Sequence, residues 1–204
     1  QEVENLQSIL EESTADVRVI DLDSLATADA ANTLLKFSKD ESVALVDIGT
    51  LGTRVSVWKS GKVEFFREFT FGGFYFTDAM ARSLGLNHQD AEALKVNDGK
   101  NIPQEAMEGL KGALTRWKAE LQQCEDIYVS QSSRELIQKW VFFGGGVLTP
   151  GLMESVLQDR IGPKVIRLDW PSLFYTSNKS IDPTFLANWA PRLLTVAGLT
   201  TRKA

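Results

Sequence analysis

Three short segments of this 204-residue chain combine residue types that do chemistry together. The first is Asp47-Ile48-Gly49-Thr50-Leu51-Gly52-Thr53, at the end of the apolar run Val43-Ala44-Leu45-Val46. An acidic residue there is costly to bury without a partner, and a bound cation with its waters is one such partner. The two glycines and two threonines make a tight turn. Such a turn aims backbone N–H groups and hydroxyls at phosphate oxygens, because only glycine lets backbone approach an anion closely. The same residues also make an ordinary hairpin turn capped by Asp47. The second segment is Phe143-Gly144-Gly145-Gly146-Val147-Leu148-Thr149-Pro150-Gly151-Leu152. A buried strand, a glycine-rich bend and a helix in that order set a planar or anionic ligand over bare backbone at a helix N-terminus. It is not a P-loop, since no Gly-Lys-Ser/Thr follows, and contiguous glycines do not make the dinucleotide fingerprint. A plain tight strand-to-helix connection is the alternative. The third is Glu92-Ala93-Leu94-Lys95, whose Glu and Lys share one helix face at i, i+3 and read most simply as a solvated ion pair of small worth.

Other reactive residues are isolated. His88 stands at a helix start without Cys or Ser nearby and reads as a surface or capping residue. Cys124 lies late on a long helix with no adjacent base to activate it. It cannot form an internal disulfide, so a reducing compartment is expected, and one Cys with one His does not make a structural zinc site. Twenty-two basic residues against 27 acidic ones give a net charge of −5. No Lys/Arg stripe offsets that balance, which argues against a nucleic-acid surface. No apolar run reaches the roughly 18 residues of a membrane span. The chain starts at Gln1 without a charged-then-apolar leader, so the expectation is a chain without a signal peptide, either trimmed or part of something longer.

The elements that position these segments follow from periodicity. Val3, Leu6, Ile9 and Leu10 share a helical face, and Val17, Val19 and Leu22 alternate as a strand. Ser24 is the expected N-cap of an Ala-rich helix to about Leu35. Three strands follow, at Val43–Ile48, around Arg54–Trp58 and over Lys62–Thr70, with Ser60-Gly61 as a two-residue turn. Helices are expected at Thr77–Leu84, at Gln89–Val96 and from Pro103 at an N1 position through Leu121. Trp140–Phe143 is a strand, Thr149-Pro150 opens a helix, and Val165–Leu168 is a fifth strand. Asp182-Pro183 caps a last helical segment that Pro191 interrupts. Strands first as a meander, then alternating with helices, predict an α/β fold with a mixed five-stranded sheet flanked by helices. The Phe71, Phe74, Tyr75 and Phe76 cluster is expected in the core.

Taken in this order the segments resemble the second half of an actin-like ATPase. Within that superfamily they are most similar to the type IV pilus assembly PilM family, with FtsA as a cousin. The likeness rests on Val43 to Gly49 with Thr53, on the Gly-Gly-x-x-x-Thr-x-x-x-Ala-x-x-Leu-Gly run from Gly72 to Gly85, on Ala91-Glu92-x-Leu94-Lys95, and on Gly144 to Leu152. It implies an actin-like (ribonuclease H-like) domain over residues 43–204, with residues 1–42 as a helix-strand-helix remnant of the preceding half. It implies that Asp47, Gly49, Thr50 and Thr53 form a phosphate loop in which Asp47 helps hold Mg²⁺. It implies further that Gly144, Gly145 and Gly146 form an adenosine-binding bend, and that Glu92 and Lys95 touch ribose and adenine. Leu51-Gly52 stands where the family usually has a small polar pair, which removes hydroxyl contacts. No second Asp-x-Gly loop occurs in residues 1–42, so ATP and Mg²⁺ are expected only in an intact two-half protein, with at most slow hydrolysis. The implied partner is the cytoplasmic tail of a PilN-like inner-membrane protein, with other pilus assembly proteins, at a cytoplasmic site peripheral to that membrane. An actin-like scaffold of a type II secretion or related machine, never binding nucleotide, is the alternative. A sugar- or acetate-kinase-like enzyme would need a base that this sequence does not supply.

Overall fold

The computed structural model describes residues 4–5, 8–10, 19–97, 102–132, 135–173 and 181–201. Val3, Leu6 and Val17 of the expected first helix and strand lie outside these residues, and Val19 to Leu22 form no strand. Helix α1 (Asp23–Leu35) begins one residue before the expected Ser24 cap, with Leu22 in the cap position and no side-chain cap. Strands β1 (Val43–Ile48), β2 (Thr53–Lys59) and β3 (Lys62–Phe69) then form the antiparallel meander. Ser60 and Gly61 both take positive φ, +53° and +84°, the backbone twist a two-residue hairpin needs.

Helices α2 (Gly73–Leu84), α3 (His88–Asn97) and α4 (Gln104–Gln131) come next. Pro103 takes the cap position of α4 rather than its first helical turn. Strand β4 (Lys139–Phe143) returns to the sheet parallel to β1, giving the order β3-β2-β1-β4. Helices α5 (Leu152–Leu157), α6 (Trp170–Leu173), α7 (Pro183–Trp189) and α8 (Leu194–Thr200) complete the described residues. Asp182 caps α7 by accepting from the Thr184 N–H, and Pro191 sits in a 3-10 turn between α7 and α8.

The sheet has four strands among the described residues, not five. Val165 makes a single parallel bridge to Trp140, and the Ile166 N–H donates to the Trp140 carbonyl at 2.9 Å. The stretch to Leu168 is squeezed between the Gly162–Lys164 3-10 turn, which contains Pro163, and α6. Only one register position reaches the edge of β4 before the chain turns away.

Strand β1 is buried on both sides, so its side chains alternate between two cores. Ala44, Val46 and Ile48 pack with Phe76, Met80, Trp117 and Phe142 under α2 and α4. Val43 and Leu45 pack with Trp58, Val141 and Phe143 beneath α1 and α8. Helices α1 and α8 meet closely: Thr27 and Thr195 share a hydroxyl hydrogen bond of 2.7 Å, and a Cβ on Gly198 would fall on the Ala26 carbonyl. Cys124 is inside the first core, and burial pushes its thiol up to about 11, so it is no nucleophile.

Two glycines separate packing from propensity. Gly198→Ala is expected to cost roughly 2 kcal/mol or more, since backbone has to move to admit the methyl. Gly112, exposed within α4 with open space around its Cβ position, is expected to gain up to about 1 kcal/mol on change to Ala. Thermal melts of the two variants should move in opposite directions, the second upward by about 2–4 °C.

Candidate functional site

Because β1 and β4 are parallel neighbours, with Asp47 opposite Phe143, the turns that follow them leave the same edge of the sheet. A cleft of about 970 Å³ opens there, lined among others by Asp47, Gly49, Thr50, Glu92, Lys95 and Gly144 to Gly146. Eight of the nine predicted site residues therefore converge on one space. The glycine bend is shaped by its proximity to β1. Gly144 has φ +85°, and a Cβ there would sit 2.6 Å from the Ile48 carbonyl oxygen. A Cβ on Gly146 would crowd the same oxygen at 2.9 Å. Gly145 differs, being half-buried and turned toward Arg192 rather than toward the strand.

Asp47 is mostly buried and pairs with Arg54 at 3.0 Å, while Arg54 also pairs with Asp23. Burial holds the Asp47 carboxyl above its ordinary value, and Arg54 pulls the other way. Among the described residues no three acidic, His or Cys side chains gather to hold a metal. A magnesium ion does not require that, since it is commonly held by one or two carboxylates with phosphate oxygens and waters completing the shell. Asp47, at the cleft and beside the exposed Thr50, fits that pattern with Arg54 as its present counter-ion.

Thr53 is the predicted site residue that does not line the cleft. It is 0 % exposed. Its hydroxyl donates to the Phe71 carbonyl at 2.6 Å and accepts from the Trp117 indole at 2.9 Å. It ties the turn to the core instead of presenting an open hydroxyl. The turn in its turn carries α2. The N–H groups of Gly73 and Phe74 donate to the Gly49 and Thr50 carbonyls at 2.9 and 2.8 Å. A side chain on Gly72 would collide with this seam, its Cβ 2.8 Å from the Thr50 oxygen. These two bonds satisfy helix-terminal donors that otherwise lack partners, which is why α2 starts at Gly73 and not at Thr77.

Glu92 and Lys95 are not a solvated pair. Lys95 is 8 % exposed, and its ammonium donates to Thr77 Oγ1 at 2.6 Å and to the Gly73 carbonyl at 3.2 Å while pairing with Glu92 at 2.8 Å. Thr77 also hydrogen-bonds Glu92. The cluster fastens α3 to the first turn of α2 and leaves the Glu92 carboxylate at the cleft. His88 stacks on Phe74 with ring centroids 4.5 Å apart, completing that wall.

The opposite wall was not anticipated from the sequence. It comes from the α7–α8 region, where Asn188, Trp189, Arg192 and Thr195 line the cleft. The available signal was the Phe185/Trp189 pair at i, i+4 followed by the Pro191 break, which gives a helix end bearing aromatic and basic side chains.

Burial pushes the Glu92 carboxyl up, but its hydrogen bonds to Lys95 and Thr77 outweigh that and hold it below 4.5. A lowered carboxylate pKa contributes stability above the unfolded-state value and loses it as pH falls through the folded value. Lys95→Ala is therefore expected to cost about 1–3 kcal/mol at pH 7, by orphaning buried acceptors. It should also flatten the acid limb of stability below about pH 4.5, read by denaturant melts across pH.

Comparison with known proteins agrees with this architecture. A chain of the "PilM-PilN type IV pilus biogenesis complex" superposes with a TM-score of 0.78 at 22 % identity, over 97 % of this chain and 56 % of that one. MreB5 of Spiroplasma citri bound to ADP matches with a TM-score of 0.63 at 14 % identity, over 97 % of this chain and 63 % of that one. The ethanolamine utilization protein EutJ from Carboxydothermus hydrogenoformans matches at 0.53 and 19 %, over 83 % and 54 %. The chain thus spans a little over half the length of these neighbours, and the fold is actin-like. The family model described as type IV pilus assembly protein PilM matches residues 1–204, and the chain belongs to the PilM family.

Proposed function

We propose that the cleft binds ATP with Mg²⁺ as part of the intact pilus-assembly protein. The observation that carries this reading is the convergence of the Asp47–Thr50 turn, the Gly144–Gly146 bend and the Glu92/Lys95 pair on one space. Phosphates lie against the turn, where Gly49 and Thr50 offer close backbone and a hydroxyl. Asp47 faces the cation and its waters, and adenosine lies over the bare Gly144–Gly146 backbone with its ribose toward Glu92. Thr53 and Lys95 hold this geometry from behind. The accompanying Mg²⁺ offsets charge at Asp47 while the phosphates load the turn on which α2 sits, so the nucleotide acts foremost as a conformational ligand. Turnover is slow or absent, since Asp47 is engaged by Arg54 and is not a free base for water.

The partner in this reading is the cytoplasmic tail of a PilN-like inner-membrane protein, which places the assembly at the membrane's cytoplasmic face. Likeness to a chain of the "PilM-PilN type IV pilus biogenesis complex" supports it. Among the described residues no helix is long and apolar enough to cross a membrane. A second reading is a scaffold that never takes nucleotide. It is favoured by the Asp23–Arg54–Asp47 chain, which already neutralises the buried acid without a metal.

Calorimetry with Mg–ATP separates the two. The 204-residue chain alone is expected to bind more weakly than about 1 µM, the contacts of one phosphate turn being too few for more. Gly145→Asp, which fills the bare bend with a like charge, should weaken binding at least about tenfold. Asp47→Asn should also weaken it, and stabilise the fold. A raised carboxyl pKa means that the proton-bound form is the favoured one, fully so below the unfolded-state value, and that stability is lost as pH rises through the folded value. The neutral amide escapes that loss, so its melting advantage over the parent should grow from pH 4 to pH 7. No ATP binding by the parent chain up to millimolar concentration would favour the scaffold, and binding unchanged in both variants would put the nucleotide outside this cleft.

A further inference from the structure

The wall formed by α7 and the 3-10 turn Ala190–Arg192 carries a feature that the nucleotide reading does not use. Phe185, Trp189 and Arg192 are spaced i, i+4, i+7 and stack in sequence. The Phe185 and Trp189 rings lie 5.7 Å apart at 29°, and the Arg192 guanidinium carbon lies 5.1 Å from the Trp189 ring centre. The end of this stack reaches the glycine bend, since Arg192 Nε is 3.1 Å from where a Cβ on Gly145 would be. The Gly144 N–H donates to the Pro191 carbonyl at 2.8 Å, fixing the distance between bend and stack. Arg192 is exposed, and among the described residues no carboxylate pairs with it. Trp189 is 44 % exposed while Trp58, Trp117 and Trp140 are buried.

An arginine usually covers apolar surface or pairs with a carboxylate. This one has its guanidinium carbon over an indole, beside backbone that has no side chain, at the mouth of a cleft. A planar guanidinium supported from below by an aromatic ring is a platform for a further planar π-system. We propose that Arg192, held by Trp189, is the nucleobase platform of the cleft: the purine of the bound nucleotide lies flat on the guanidinium and over Gly145. This rests on the nucleotide reading and adds to it a residue that selects for a base and not for phosphate alone. The purine edge takes its hydrogen bonds elsewhere, so the platform discriminates nucleotides from inorganic polyphosphate more strongly than one purine from another. Arg192 and Trp189 act here by binding and positioning, with no part in bond making.

The test compares Mg–ATP with Mg–tripolyphosphate, titrated up to millimolar concentration into the whole chain, with intrinsic tryptophan fluorescence and calorimetry as readouts. The parent chain should bind ATP with quenching of Trp189 fluorescence. Arg192→Ala should lose about tenfold in ATP affinity, the scale of one stacked base, and change less than about twofold for tripolyphosphate. Arg192→Lys, which keeps the charge and loses the plane, should recover little of the loss. Trp189→Leu should show a similar ATP deficit with no quench left. Equal losses for ATP and tripolyphosphate in Arg192→Ala would make the side chain a phosphate contact and overturn the platform. Full rescue by lysine would do the same. Unchanged ATP affinity in Arg192→Ala overturns the platform while the nucleotide reading stands. A parent chain that binds neither ligand at any concentration overturns both.

Discussion

The site depends on the pairing of β1 with β4 as parallel neighbours in a sheet covered on both faces. Parallel strands end at the same edge, so the Asp47 turn and the Gly144 bend are brought side by side by sheet geometry before any ligand is considered. The proximity is close enough to dictate sequence. Gly144 must take positive φ and must lack a side chain because Ile48 and Asp47 occupy the space, and Gly146 is confined by Ile48. Of the three glycines only the middle one is free of β1, and it is the one that faces the cleft. The strands that hold this edge are apolar on both sides, and their alternation between the α2–α4 core and the α1–α8 core leaves no register slip that keeps both filled.

Electrostatics at the edge are settled locally. Asp47 is buried far enough to disfavour its charge, and Arg54 compensates from the next strand, across the hydrogen-bonded β1–β2 register in which the two residues are partners. Asp23 at the start of α1 completes the chain. The floor thus sets one guanidinium between two carboxylates, while Arg192 stands on the far wall and Glu92 on the near one.

Much of this was legible in the sequence because the carriers were local. The Asp47–Thr53 turn, the Gly triplet, the Ser60-Gly61 hairpin and the Asp182 cap each announce themselves by residue types with few conformational alternatives. The actin-like architecture followed from their order. What was misread depended on long-range contacts. Val165–Leu168 has strand composition, but a proline turn before it and a helix after it leave one bridge where a strand was expected. Lys95 looked like half of a surface pair, because nothing in a four-residue window reveals that the first turn of α2 closes over it. Thr53 has the right spacing for a phosphate hydroxyl, yet Trp117, 64 residues away, claims it. Arg192 and Trp189 gained meaning only once α7 was seen across from the bend.

The seam between the turn and α2 has a mechanical consequence. The first turn of α2 is held by two carbonyls of the turn, α3 is bolted to it through Lys95, and Phe76 and Met80 seat the same arm in the core. With 12 residues the arm is roughly 18 Å long. A shift at Gly49 and Thr50 would therefore strain contacts along the buried face of the arm, from Phe76 through Met80 to Leu84. A ligand that moved the turn would be felt in the core beneath α2 and α4, which would link occupancy of the cleft to the stability of that face.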